Sequence, residues 1–162
     1  MAYTVFRSDN MPGTDVRAEM KSVLVKDAEG GNPVEAENGT IVKIGKSLKH
    51  DLWEAVPAAA GDEVAKCAIL GTPEVMYDTC LKHNLDDFTN EKGVPAAAYL
   101  LGDGGIFAVT VDGFVGKVAP AVDATVGLGA NGKIDPTGSG LGTCRAIEKA
   151  GRYTYYVIEL DA

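Results

Sequence analysis

The sequence has few of the residues that mark catalytic, metal-binding or membrane-spanning proteins. It contains two histidines, one tryptophan and three cysteines, and no run of about 18 apolar residues that would form a membrane-spanning helix. Cys67, Cys80 and Cys144 lie far apart without a C-x-x-C pair, so the pattern implies neither a disulfide framework nor a zinc ribbon. The N-terminus shows no basic segment followed by an apolar one. We therefore predict buried free thiols, no membrane partner, and synthesis in the cytoplasm.

Positive charge is also scarce. Asp and Glu number 23 against 15 Lys and Arg, giving a formal net charge of −8. Proteins that bind phosphate backbones need clustered basic side chains, so nucleic acid is not an expected partner. The 162 residues are 46% hydrophobic, which is enough for one domain that buries roughly 70% of its extended surface.

Glycine is abundant, with 20 residues, and it separates short apolar runs with strand character. Runs such as "SVLVK", "TIVKIGK" and "IFAVTV" are rich in β-branched residues or alternate between apolar and polar. The Asn38-Gly39 pair is a strong hairpin signal. We predict a mainly β protein, a compact barrel or sandwich with glycine-rich turns and little helix.

The first thirty residues differ from the rest. Tyr3 to Phe6 can form a short extended piece, but Pro and Gly between Asn10 and Gly13 oppose any regular element. We predict an extended N-terminal arm over residues 1–30 and a β-rich domain over residues 31–162. The arm and the tyrosine-rich last strand supply the predicted contacts with a partner or another subunit: Tyr3, Val5, Phe6, Arg7, Met11, Tyr153 and Tyr155.

The stretch "VGLGANGKIDPTGSGLG", residues 126–142, contains G-x-G-x-x-G at Gly127 to Gly132. In dinucleotide-binding proteins that pattern follows a strand and opens a helix whose amides meet the phosphate. Here Pro136 and further glycines follow, which oppose a helix. We interpret Asn131-Gly132 as a hairpin turn and predict no cofactor.

Two other groups of residues could suggest chemistry. Cys80 and His83 form C-x-x-H, but the sequence indicates no third group to orient the histidine and no full set of metal ligands. The acids Asp78, Asp86, Asp87 and Glu91 lack EF-hand spacing. We predict no catalytic residues and no metal site.

The closing strand "GRYTYYVIEL" is apolar or aromatic on both faces. Tyr153, Tyr155 and Val157 share one face, while Tyr156, Ile158 and Leu160 share the other. Either a central position in a sandwich or a subunit or partner interface explains this pattern.

Several pieces, in order, resemble a family of small structural proteins of tailed bacteriophages, the head decoration or cement proteins. These are "ENGTIVKIGK", "GTPEVMYD", "LDDFTNEKGVPAAAYLL", "GGIFAVTV" and "GRYTYYVIEL", which span about Glu37 to Leu160. The segments "FTNEKG" and "YTYYVI" are the most specific. The chain departs from the pattern at Gly102 to Phe107, which carries extra glycine, and in residues 127–142.

The resemblance implies a non-enzymatic virion protein on the capsid exterior, with the major capsid protein as partner and possible self-association into an oligomer. Two alternatives remain open. One is another phage component such as a head fibre, neck or tail protein, and the other is a small β-barrel ligand-binding module or enzyme.

Overall fold

A computed structural model describes residues 3–7, 20–29, 31–75, 85–102 and 105–161. The fold is mainly β, as predicted, and none of the helical segments in these ranges reaches seven residues. None of them is long and apolar enough to cross a membrane. The strands are β1 (Phe6–Arg7), β2 (Met20–Val25), β3 (Ile41–Lys49), β4 (Leu52–Pro57), β5 (Cys67–Leu70), β6 (Ala96–Leu100), β7 (Ile106–Thr110), β8 (Thr125–Leu128), β9 (Ile134–Asp135), β10 (Gly142–Ala150) and β11 (Tyr153–Leu160).

Five strands close into a small barrel in the order β2-β4-β3-β5-β6, with β2 pairing with β6 to complete the ring. The β2–β4 pair is parallel, and the other pairs are antiparallel. Because a five-stranded barrel is narrow, small and β-branched side chains fill it. The interior residues are Val23, Val25, Val42, Ala55, Ala68, Leu70, Ala96 and Ala98.

The other six strands form a sheet in the order β1-β7-β11-β10-β8-β9. This sheet packs on the barrel, because alternate residues of β3 and β5 point outward into a shared core. Ile41 and Ile69 of the barrel meet Phe107 and Ile158 of the sheet there, and all four are fully buried. Strand β11 lies between β7 and β10, so the tyrosine-rich strand holds a central position in its sheet, which is one of the two explanations for its two apolar faces.

The predicted boundary at residue 30 does not match the strand pairing. Phe6–Arg7 pairs with β7 in the six-stranded sheet, and Met20–Val25 pairs with both β4 and β6. Residues 20–25 therefore belong to the β body rather than to an arm, because Val23 and Val25 alternate into the barrel interior.

The turn predicted at Asn131-Gly132 is present. The two residues have φ of 56° and 70°, the pattern of a type I′ hairpin, and they join β8 to β9. The Asn38-Gly39 turn differs from the expectation, since only Gly39 has positive φ. Asn38 is instead buried, and its side chain bonds to residues far away in the sequence.

Candidate interaction surfaces

The glycines that suggested a phosphate loop bring backbone segments into close contact. A Cβ added to Gly132 would lie 2.4 Å from the Ile41 carbonyl oxygen of the barrel. One added to Gly127 would lie 2.7 Å from the Ser139 nitrogen. Because only glycine fits such approaches, these residues pack the β8–β9 hairpin against its own chain, and no helix follows them.

The two described cysteines are buried and unpaired. Burial raises the pKa of the Cys67 thiol to about 11 and also raises the pKa of Cys144. Thiolate is the reactive form, so both side chains behave as core residues. The Cys80/His83 pair and Asp78 lie outside the described residues. Within the described ranges no three metal-binding side chains come together.

The predicted contact residues of the N-terminus are largely engaged within the chain. Val5 and Phe6 are 2% and 8% exposed, and their burial attaches the segment to the six-stranded sheet. Tyr3 and Arg7 are half-buried. Met11 lies outside the described residues.

Arg7 connects this segment to the outer face of the sheet. Its guanidinium lies 4.9 Å from the centre of the Tyr155 ring and 3.1 Å from a Glu148 carboxylate oxygen. Tyr155 is only 3% exposed and packs with Val5 and Val157. The sequence correctly grouped Tyr155 with Val157 on one face, but this face is filled by the chain itself.

Tyr153 belongs to a polar cluster at the end of the same sheet. Its hydroxyl donates to Asp86 Oδ1 at 2.8 Å, and Arg152 forms an ion pair with the same carboxylate. The hydrogen bond from Tyr153 is the main reason that the pKa of Asp86 lies below its ordinary value. The Tyr3 amide also donates to the Asp86 carbonyl oxygen. This cluster ties Tyr3 and Tyr153, both predicted contacts, to the segment Leu85–Asp87.

A second polar cluster joins the N-terminal segment to the segment before β3 and to the turn between β8 and β9. Glu37 Oε2 accepts from the Thr4 amide, the Thr4 hydroxyl and Lys133 Nζ at 2.9, 2.7 and 2.8 Å. Lys133 also donates to the Asp112 carbonyl oxygen. Burial alone would raise the pKa of Glu37, but the hydrogen bonds from Lys133 and Thr4 outweigh it and hold the pKa below the ordinary value.

The connection between β7 and β8 presents exposed apolar side chains. Val115, Val118 and Val122 are 40%, 54% and 50% exposed, within eight residues of sequence. Phe114, which precedes them in the sequence, is buried and packs edge-to-face against Tyr156 with ring centres 5.5 Å apart. We call residues 114–124 the valine connection. Single exposed valines are ordinary, but here three occur in one short connection.

Sequence reasoning missed the valine connection because "FVGKVAPAVDATV" has no periodicity that separates a core strand from an exposed loop. The available signal was Gly116 and Pro120, two residues that oppose a regular element and interrupt the run of valines.

Comparisons with protein-family models, with curated proteins and with solved structures found no match to this chain.

Proposed function

We propose that this chain is a non-enzymatic structural protein of a tailed-phage virion that binds the capsid exterior and stabilises the lattice of the major capsid protein. The observation that carries the proposal is the ordered resemblance from Glu37 to Leu160, together with the places that its pieces occupy in the fold.

Three of those pieces meet through hydrogen bonds of the buried Asn38 side chain. Asn38 of "ENGTIVKIGK" donates to the Thr72 carbonyl oxygen of "GTPEVMYD" at 2.7 Å, and its Oδ1 accepts from the Thr72 amide. Asn90 of "FTNEKG" donates to the same Asn38 oxygen at 3.0 Å. Residues that satisfy one another inside a protein specify its fold. Three of the similar segments therefore contain residues that hold the fold together, and this is what supports the proposal.

The valine connection supplies a surface suited to a partner. Exposed apolar patches mark interaction sites on many proteins, and this connection would contribute three valine side chains to such a patch. The chain's net charge of −8 limits non-specific self-association, since like-charged molecules repel. An acidic protein with several exposed valines in one short connection therefore binds a complementary surface in preference to another copy of itself.

The mechanism is linkage. A protein that binds only the assembled shell stabilises it by RT ln(1 + [L]/Kd), about 2.7 kcal/mol per site at a hundredfold excess over Kd. Because a capsid repeats the site many times, modest affinity at each copy raises the stability of the whole shell.

The experiment adds the purified protein to capsids that lack it and measures bound copies by quantitative mass spectrometry and shell stability by thermal melting. We expect near-stoichiometric occupancy relative to the capsid subunit and a higher melting temperature. No binding, or about a dozen copies per particle, would refute decoration, the latter result favouring a neck or tail ring.

Variants then locate the contact. Val118→Ser with Val122→Ser should lower occupancy, whereas Val94→Ser, at a similarly exposed valine outside the connection, should not. For the N-terminal segment, Tyr3→Ala and Arg7→Ala are better tests than deletion, because deletion also removes the buried Val5 and Phe6.

A further inference from the structure

Strand β10 is longer than the neighbour that pairs with its outer edge. Its Gly142 and Thr143 pair with β8, and the Cys144 backbone bonds to Asp123 and Ala124. Beyond Cys144, no described strand pairs with this edge. Residues 145–150 thus form a hairpin edge that projects past β8 and is not paired by any strand in the described ranges, and we call them the β10 edge.

The hairpin geometry identifies which backbone groups face outward. Ala150 pairs with Tyr153 across a two-residue turn, so Ala150, Glu148 and Ala146 exchange hydrogen bonds with β11. The alternation then directs the N–H and C=O of Ile147 and Lys149 away from β11. Both residues are exposed, Ile147 at 46%.

Strand β3 also extends beyond its pairing with β5, which involves only Ile41 to Lys43, but the rest of this edge is not suited to pairing with an added strand. Its pairing with β4 shifts register between Ile44 and Ser47 and again between Ser47 and Lys49. Such bulges interrupt a ladder and protect an edge from pairing. From Ala146 to Ala150, β10 keeps a regular register with β11, so its outer groups are spaced to pair with another strand.

A second copy of the chain is a poor occupant of the β10 edge. In an antiparallel pair of two such edges, residues whose backbone groups face outward must lie opposite each other. The two-fold axis of the pair therefore passes through Ile147, Glu148 or Lys149. These registers place Arg145 opposite Lys149, Glu148 opposite Glu148, or Lys149 opposite Lys149. Like charges directly opposed across strands are destabilising.

We propose that the β10 edge accepts an extended segment of the capsid subunit by strand addition, an inference that rests on the proposed function. The backbone groups of Ile147 and Lys149 provide affinity, and the side chains provide selectivity. Ile147 lies opposite Tyr156 and Lys149 opposite Thr154, so the two side chains share a face. Among the described residues Lys149 has no ion pair at 4 Å or less. The matching segment carries an apolar residue beside Ile147 and a carboxylate beside Lys149.

The first measurement is hydrogen exchange of the wild-type protein, free and bound to capsids that lack it. In the free protein, the amides of Ile147 and Lys149 should exchange rapidly while that of Glu148 is protected by β11. Binding should slow exchange at Ile147 and Lys149 at least tenfold.

The second measurement is capsid affinity of edge variants. Ile147→Pro removes an outward N–H, a change that edge strands tolerate where the N–H faces solvent, and should weaken binding at least tenfold. Ile147→Val retains the N–H and should bind like wild type. Lys149→Glu should weaken binding severalfold, whereas Lys92→Glu, at an exposed turn, should not.

The outcomes separate the two proposals. If wild-type protein does not bind capsids, both fail. If it binds without protecting Ile147 and Lys149, and Ile147→Pro binds equally well, the strand-addition inference is wrong and decoration stands. If Ile147→Pro does not fold, the exchange measurement decides alone. Protection of both amides in a capsid-free dimer, detected by sedimentation, would overturn the inference in favour of self-pairing.

Discussion

Asn38→Ala should destabilise this protein more than its small change in volume suggests. The Asn38 side chain is 1% exposed and bonds to four groups: the Thr72 carbonyl, the Thr72 amide, the Asn90 side-chain amide and the Glu74 carboxylate. Glu74 is only half-buried, so water can replace the bond from Asn38, and the other three bonds decide the loss. Each lost hydrogen bond costs about 1 kcal/mol, and more where the remaining partner stays buried. We expect a loss of about 3 kcal/mol in the free energy of unfolding.

Urea denaturation measures this loss. With a slope of about 2 kcal/mol per molar urea, the midpoint should fall by about 1.5 M. The matched control is Asn32→Ala, at an exposed asparagine, which should change stability by about 0.5 kcal/mol or less. Asn38 does not have positive φ, so alanine introduces no backbone strain that would confuse the comparison.

A double-mutant cycle isolates the contact with Asn90. Asn90 also donates to the Ala36 carbonyl oxygen, so Asn90→Ala has its own cost. Since both asparagines belong to one network, the two changes should be non-additive by at least about 0.5 kcal/mol. A loss below about 1 kcal/mol for Asn38→Ala, or strict additivity with Asn90→Ala, would refute the view that this network holds the turn at Asn38 against the segments that contain Thr72 and Asn90.

Three further predictions concern acid stability, thiol reactivity and close packing. The pKa of Glu37 in the folded protein lies below its ordinary value of 4.5. Its ionised form therefore contributes fully to the free energy of unfolding above pH 4.5, and this contribution is lost as the pH falls through the folded-state pKa. Thermal melting between pH 3 and 6 should show that the melting temperature of Glu37→Gln falls less steeply with acid than that of the wild type. Cys67 should resist iodoacetamide at pH 8 until the protein is unfolded, and peptide mass spectrometry that finds rapid labelling would contradict its burial. Gly132→Ala should lower the free energy of unfolding by at least about 2 kcal/mol, because the added Cβ clashes with the Ile41 carbonyl oxygen. Gly140→Ala should lower it less, because Gly140 also has a positive φ, 87°, but open space around it. Equal losses in urea titrations would show that backbone strain alone is responsible.

Local sequence patterns predicted the hairpins well. The "TCRAIEKAGRYTYYVIEL" pattern forms β10 and β11, joined at Gly151, whose φ is 61°. The Asn131-Gly132 turn also forms as predicted. These features depend on residues close in sequence, where alternation and positive φ are decided by a few neighbouring side chains.

Asn38-Gly39 shows where local reasoning ends. The same dipeptide that forms a type I′ hairpin at Asn131 makes a different turn at Asn38, because burial of the Asn38 side chain between Thr72 and Asn90 competes with the local preference. Those partners lie more than 30 residues away, and no pattern within one segment identifies them.

The sequence by itself determined the β class, the absence of a helix after the glycine-rich stretch, and the two apolar faces of the last strand, because each follows from composition and short-range periodicity. The tertiary structure decided that residues 20–25 close a barrel, that Val5, Phe6 and Tyr155 are buried, and that no described strand pairs with the outer edge of β10 beyond Cys144. Those properties depend on which distant segments become neighbours, and hydrogen bonding and burial across the assembled fold select those neighbours.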